Sequence, residues 1–303
     1  NVPYLGRGKQ DEVLRDYCEK QFPNAKTDLA TCFIERSFGF CARGGSTALV
    51  APQAWLFLSA YTDLRRSLLQ HRRWRLLMRL GPRAFEAVSG EVVNVVLFAA
   101  DHAEPVEAEF LAIDASRELG PTEKGRALLS WPLKPASQAE QLLNPDSTVL
   151  PGGQQKGRVL REIAGCWQGL VTGDDNKYVF RFWEFPEKHP AWEWLQMPPQ
   201  ETSPYTGREA IVRWEGGQGD LHRRSTAHNF PSKEMLGRPG VAMQRMKQLN
   251  ATIFTGEIFG DHVAPIVPID PKILPALYCF CSSPEYRDAL QEFDSTLKAA
   301  VGA

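Results

Sequence analysis

The chain has 303 residues, 43% of them hydrophobic, and 35 Lys and Arg against 36 Asp and Glu leave a formal net charge of −1. That length can bury one large or two ordinary cores, and the near-neutral total does not by itself mark a nucleic-acid binder. No apolar run approaches the length of a membrane span, no signal peptide opens the chain, and the six cysteines hold no paired zinc-finger spacing, Cys279 and Cys281 being one residue apart. A cytoplasmic protein with reduced thiols, no metal and no membrane partner is expected.

In chain order, a turn Asn1-Val2-Pro3-Tyr4 leads into Gly6-Arg7-Gly8-Lys9-Gln10. A helix is predicted over 28–40, with Leu29, Phe33 and Phe38 near helical spacing, ending at Gly44-Gly45. A buried strand at 47–52, a helix at 59–71, and strands at 74–80 and 91–100 come next, the alternation of an open α/β sheet. A further strand is expected at 109–114, where Phe110, Leu111 and Ile113 lie close together. Gly, Pro and polar residues then dominate, apart from a short helix at 137–143, and predict a hinge-like linker over 117–158. The remainder, 159–303, is aromatic and strand-like, with Trp167, Trp183, Trp192, Trp194 and Trp214. It contains an alternating strand at 178–183, a loop at 169–176, paired strands over 240–268 turning at Thr255-Gly256-Glu257, and a final helix from Pro284 to about Lys298.

The opening turn offers two oxygen acceptors and a flat ring. An exocyclic amine on adenine is a poor nucleophile because its lone pair spreads into the ring; two acceptors taking its N–H bonds push that pair back onto nitrogen. The Asn1 side-chain oxygen and the Val2 carbonyl are candidates, with Tyr4 to stack on a base that has left the duplex. Pro3 pushes Val2 toward extended geometry.

This turn resembles the Asn-Pro-Pro-Tyr motif of the N6-adenine DNA methyltransferase family and departs from it at Val2. The segments Asp28-Leu29-Ala30, Gly44-Gly45, 49–56, 81–85 and 90–97 resemble the family's sequence after its catalytic turn, most closely the PglX type of restriction and phage-exclusion systems. The resemblance implies catalytic roles for Asn1, Val2, Pro3 and Tyr4, and a stacking role for Phe85, which by residue type alone is equally a core ring. It implies an α/β fold: the C-terminal half of a Rossmann-like class I methyltransferase sheet over 1–116, then a mixed α+β, strand-rich target-recognition domain over 159–303, opened by Gly169 to Gly173 and an aromatic strand. Double-stranded DNA and further subunits of a defence system are the implied partners. S-adenosylmethionine is the implied cofactor, on a glycine-rich turn expected upstream of residue 1, because Gly6/Gly8 and Gly217/Gly219 lack a strand-to-helix context. The isolated chain is therefore expected to be inactive.

Local charge supplies the DNA-binding candidates. Seven arginines (Arg65, Arg66, Arg72, Arg73, Arg75, Arg79, Arg83) and no acid lie between Leu64 and Phe85, and eight Lys/Arg face four Asp/Glu from Tyr205 to Asn250. Either run could lie along phosphate, although a solvated face is the favoured reading of the first. Arg7, Lys9, Lys177, Arg181, Arg213, Arg223, Arg224 and Arg245 are the main candidates, with Arg208, Lys233, Arg238 and Lys247 beside them. His222 and His228 lack a third metal ligand, and Asp174-Asp175 with Lys177 reads as a turn rather than a nuclease site. Two alternatives stay open. One is a non-catalytic DNA-recognition module in which Val2 marks decay of the clamp; the other is a protein or RNA methyltransferase, which a long reader domain disfavours.

Overall fold

The computed structural model describes residues 1–85, 93–106, 108–151, 159–187, 189–224, 235–246 and 248–293. The chain divides into two units, Asn1–Gly157 and Arg158–Ala303.

Carboxylate caps begin the first two helices. Asp11 accepts the Leu14 N–H at 2.8 Å ahead of α1 (Glu12–Gln21), and Asp28 accepts the Ala30 N–H at 2.8 Å ahead of α2 (Leu29–Phe38). Ala30, Ile34 and Phe38 recur every four residues on α2 and are buried. The helix stops at Gly39 rather than at Gly44-Gly45. Gly44, at φ +78°, instead turns the chain into the sheet, its N–H donating to the His102 carbonyl at 2.9 Å.

The sheet of this unit contains β1 (Ser46–Pro52), β2 (Arg73–Gly81), β3 (Val95–Asp101), β4 (Glu109–Asp114) and β5 (Lys134–Ser137), in the order β1-β3-β2-β4-β5. Strand β3 runs antiparallel to both β1 and β2, so those two run the same way, joined by α3 (Thr62–His71). Strand β4 is parallel to β2 and antiparallel to β5. Period-two alternation divides the side chains between the faces. Val96, Phe98 and Ala100 join Trp55, Trp74 and Phe110 in one core, while Val95 joins Leu80, Ile113 and Ala127 in another. The first core is built on rings, with Trp74 4.8 Å from Phe98 and 5.3 Å from Phe110.

The expected linker over 117–158 is folded wherever it is described. It forms α4 (Pro121–Ser130), β5 and α5 (Gln138–Leu143) and belongs to the first unit. Its polar residues are structural rather than solvated: buried Gln138 donates to the Leu69 and Arg72 carbonyls at 2.9 Å and accepts the Trp74 N–H at 2.8 Å. Gln141 and Asn144 are likewise buried.

The second unit holds β6 (Ala164–Cys166), α6 (Asp175–Tyr178), β7 (Val179–Arg181), β8 (Trp192–Gln196), β9 (Ala210–Arg213), α7 (Asp220–Arg224), β10 (Gly240–Gln244), β11 (Ala251–Phe254), β12 (Ile258–Phe259), β13 (Val263–Pro268), α8 (Leu274–Cys281) and α9 (Pro284–Phe293). One sheet is ordered β11-β10-β13-β6 and the other β12-β8-β9-β7. Val241, Met243, Ala264 and Ile266 pack with Leu277, Cys281 and Tyr286 of the last helices. A Cβ at Gly240 would stand 2.5 Å from the Ile266 carbonyl oxygen, so only glycine permits that approach. The strand expected over 178–183 is confined to Val179–Arg181. Tyr178 ends α6, and Phe182–Glu184 form a turn closed by Glu184 accepting the Arg181 N–H at 3.2 Å. The final helix is described to Phe293, and the rest of its expected span lies outside the described residues.

Candidate active site

The Asn1–Tyr4 turn is fixed mainly through the residues immediately C-terminal to it. The Leu5 carbonyl accepts the Leu29 N–H at 3.0 Å, the Arg7 N–H donates to the Thr27 carbonyl at 3.0 Å, and Gly6 bridges Asp28. The segment is thereby sewn to the N-terminus of α2. The buried Gln10 amide also donates to the Leu5 carbonyl at 3.0 Å.

Within the turn, the Val2 side chain is buried in the core of the first unit and the Tyr4 ring packs partly against it, while Asn1 and Pro3 are exposed. Alternating inward and outward side chains are what an extended Val2-Pro3 pair produces. The Tyr4 hydroxyl is buried with no hydrogen-bond partner among the described residues. Burial, and then the Asp28 carboxylate, raise its pKa above the usual tyrosine value, so it stays a neutral phenol at physiological pH. Asp28 therefore does two things: it caps α2 and lies close enough to Tyr4 for its charge to disfavour the phenolate. The amino-acid sequence alone marks Asp28 only as a helix start.

Phe85 is 43% exposed and follows Arg83, whose φ is +56°. No ring contact joins it to Tyr4 among the described residues.

Most of the candidate cations already face carboxylates. Arg7 donates to Glu19 through both nitrogens at 3.0 and 3.1 Å, and Lys26 joins at 3.1 Å. Those hydrogen bonds hold the Glu19 carboxyl at about 2. Lys9 is exposed in the turn after Gly6. In the second unit Lys177 pairs with Asp220 at 2.7 Å, Arg181 with Glu209 at 3.2 Å, Arg213 with Glu215 at 2.9 Å and Arg245 with Asp261 at 2.8 Å. Arg223 is exposed on α7 near Glu215, and the Arg224 backbone ends that helix. Arg208 pairs with Glu257 at 3.2 Å, and Arg238 donates to the Pro268 carbonyl at 3.2 Å. Lys233, Lys247 and His228 lie outside the described residues.

The acid-free arginine run is divided: Arg66, Arg73, Arg75 and Arg83 are exposed, as expected of a solvated face, whereas Arg65 and Arg79 are buried. Arg65 is fully buried and donates to the carbonyls of Trp55, Leu58, Asp146 and Ser147; buried Arg79 pairs with Asp114 at 3.0 Å, and Arg75 with Asp101 at 2.6 Å. Arg72 lies over the Phe38 ring at 4.9 Å. Backbone oxygens satisfy Arg65 and Asp114 answers Arg79 inside the fold, which the one-dimensional charge pattern of the run cannot register.

Asp174 and Asp175 form a turn with Thr172, whose hydroxyl bonds Asp175 and accepts the Asp174 N–H, while Lys177 turns to Asp220. No group of metal-ligating side chains occurs among the described residues, and none of their helices is long and apolar enough to cross a membrane.

A glycine-rich turn from strand to helix is what a methyl-donor nucleotide would need. Gly6 precedes and Gly8 lies within a single turn of 3-10 helix, a Cβ at Gly8 would meet nothing within 4 Å, and Gly217 ends a similar turn whose first residue, Glu215, stands against Gly219. The described residues do not fit such a cradle.

Residues 1–85 match the Eco57I restriction-modification methylase family. Two relatives that match about a third of the chain are adenine-specific methyltransferases. The chain is 40% identical over 94 residues to the adenine-specific methyltransferase BrxX of Escherichia coli O9:H4 (strain HS), covering 31% of this chain and 8% of that protein. It is 35% identical over 100 residues to the adenine-specific methyltransferase PglX of Lacticaseibacillus casei (strain Zhang), covering 32% and 8%. In fold, the chain resembles the Type IIL restriction-modification enzyme MmeI, solved in complex with DNA, at a TM-score of 0.61 and 11% identity over 99% of this chain and 44% of that one. It also resembles the Type ISP enzyme LlaGI, solved as a nuclease-deletion mutant with a DNA substrate mimic, at a TM-score of 0.56 and 12% identity over 88% and 35%. These likenesses are of a mixed α/β fold with several sheets.

Proposed function

We propose that the first unit is the catalytic portion of an adenine-N6 DNA methyltransferase and that residues 159–303 form its target-recognition domain. The observation that carries this reading is the pinned turn: an exposed Asn1, a Val2 anchored in the core by its side chain, and a neutral Tyr4 held between that core and the α2 cap. In this reading the Asn1 side-chain oxygen and the Val2 carbonyl accept the two N–H bonds of the amine, localising its lone pair on nitrogen. The exposed part of the Tyr4 ring stacks on the flipped base, with Phe85 as a second ring beyond β2. Val2 serves in place of proline because Pro3 already restrains its backbone and its side chain fills the core.

The crossover from β1 through α3 to the co-directional β2, with β3 filled in between, supports assigning this sheet to the second half of a Rossmann-like methyltransferase. S-adenosylmethionine supplies the methyl group in this chemistry, and the described residues do not fit its cradle. The exposed cations of the second unit exchange their carboxylate partners for phosphates on a DNA duplex.

The test is methyl incorporation into adenine-containing duplex DNA by the protein that carries this chain, with and without Asn1→Ala. The substitution removes one of two acceptors and is expected to lower the rate roughly 100-fold or more, the scale seen when a preorganised polar contact to the reacting group is lost. Equal rates would remove the clamp assignment. Duplex binding without transfer by the unsubstituted protein would favour a recognition module.

A further inference from the structure

In the second sheet of the C-terminal unit, the alternation that sends Val179, Leu195, Ala210 and Val212 into the core sends Phe180, Trp192 and Trp194 to the opposite face. That face is covered by rings rather than by a helix. Phe180 meets Trp192 at 5.2 Å, and Phe182 meets Trp183 at 5.1 Å and Trp194 at 5.7 Å, in edge-on contacts. Phe182, Trp183 and Trp194 are nevertheless 46%, 61% and 42% exposed, and Tyr205 is 72% exposed. Four large aromatic side chains left in water on one strand and the turns beside it mark a contact surface.

The chemistry of the surface narrows the partner. Phe182, Trp194, Leu195 and Tyr205 line a cleft of about 320 Å³ together with the polar residues Arg208, Thr255 and Glu257. Arg208 and Glu257 are held rigidly there: the guanidinium donates to Glu257 at 3.2 Å and to the Ile253 carbonyl at 2.7 Å, and Glu257 also accepts the Thr255 N–H at 2.9 Å. The Arg208 Nε is buried and finds no acceptor among the described residues. The cleft thus combines flat apolar lining with a fixed donor beside a fixed acceptor. A phosphate would meet the Glu257 carboxylate, and an aliphatic side chain would leave the ion pair against hydrocarbon. A nucleobase has the matching layout, with two π faces and a donor-acceptor edge. Guanidinium groups over the rings, Arg208 at 4.7 Å from Tyr205 and Arg181 at 5.8 Å from Trp183, add the cationic component usual where bases stack.

The geometry points to a base-stacking site for unpaired nucleic acid, in which Trp194 and Tyr205 take the faces of a base extruded from, or lying outside, a duplex, and Arg208 with Glu257 contacts its edge. This goes beyond the methylation reading and does not depend on it.

The probe is fluorescently labelled oligothymidylate, titrated at low salt into the 303-residue chain, with an abasic oligonucleotide of equal length as control. Thymine has no exocyclic amine, so the result does not report on Asn1. Tyr205→Ala and Trp194→Ala should each weaken oligothymidylate binding about tenfold, the scale of one lost stacking contact, with little change for the abasic strand. Tyr205 is so exposed that its removal leaves the fold intact, and Trp194→Phe should restore most of the affinity. Equal affinity for the two strands, or unchanged oligothymidylate binding in Tyr205→Ala, would overturn the assignment. So would substitutions that disturb self-association in sedimentation while leaving nucleic-acid binding intact, since the face would then belong to a protein interface.

Discussion

Two sets of cations, one in each unit, are held in opposite ways. In the first, Arg65 and Arg79 lie inside the fold, answered by backbone carbonyls and by Asp114. In the second, Lys177, Arg181 and Arg213 stay partly exposed and close on surface carboxylates. The difference separates two meanings of a basic run. A guanidinium without water is architecture, and removing it strands its acceptors. A guanidinium paired at the surface is held by a weak, screened contact and can change partner when a stronger anion arrives.

The largest test of this division is Arg65→Met. It leaves four carbonyls without their donor and should lower unfolding stability by about 3 kcal/mol or more in urea titrations. A loss near zero would put Arg65 with the surface cations. Lys177→Ala and Arg213→Ala should each leave unfolding stability nearly unchanged. Their effect belongs in duplex binding, where each should make the dependence of log affinity on log salt shallower by roughly one. An unchanged slope would mean that their carboxylates are permanent partners.

The smallest effect concerns Glu19, the anion facing Arg7 and Lys26. Its carboxyl is held at about 2 in the folded chain, below an ordinary value of 4.5, so its contribution to stability is full at neutral pH. That contribution fades as the pH falls from about 4.5 through about 2. Wild type and Glu19→Gln should differ slightly in melting temperature at neutral pH and converge in acid. A difference that persisted at the acid end would assign the effect to packing.

Much of the first unit is legible in the sequence because it is built from amphipathic helices and alternating strands. Strand β4 is found at its expected limits, and β1, β2 and α3 lie within one to three residues of theirs. Helix α1 is not legible, since Glu12–Gln21 is polar on most sides and buries only Cys18. Residues 117–151 mislead for a physical reason: Gln138, Gln141 and Asn144 look solvated by composition yet serve as internal hydrogen-bonding groups. At the candidate site, the proposed roles of Asn1 and Tyr4 come from their chemistry together with the motif they resemble. The contribution of Asp28 is half readable, because an acid before an apolar run marks a cap but not its proximity to a tyrosine more than twenty residues earlier in the chain. The aromatic cleft is unreadable, because Phe182, Trp194, Tyr205 with Arg208, and Glu257 come from four stretches that meet only in the fold.

The sewing of Leu5 and Arg7 to Thr27 and Leu29 carries a consequence for how this region can drift. Those bonds are made by main-chain atoms, so they are indifferent to most side chains. Positions 5 and 29 can lose their leucines, and position 7 its arginine, without loosening the pairing itself. Proline at 7 or 29 is another matter, since each of those residues donates an N–H that proline lacks. The result is a silent constraint. A region free to vary in nearly every letter would hold the turn in place, and its importance would register only as the absence of one residue type.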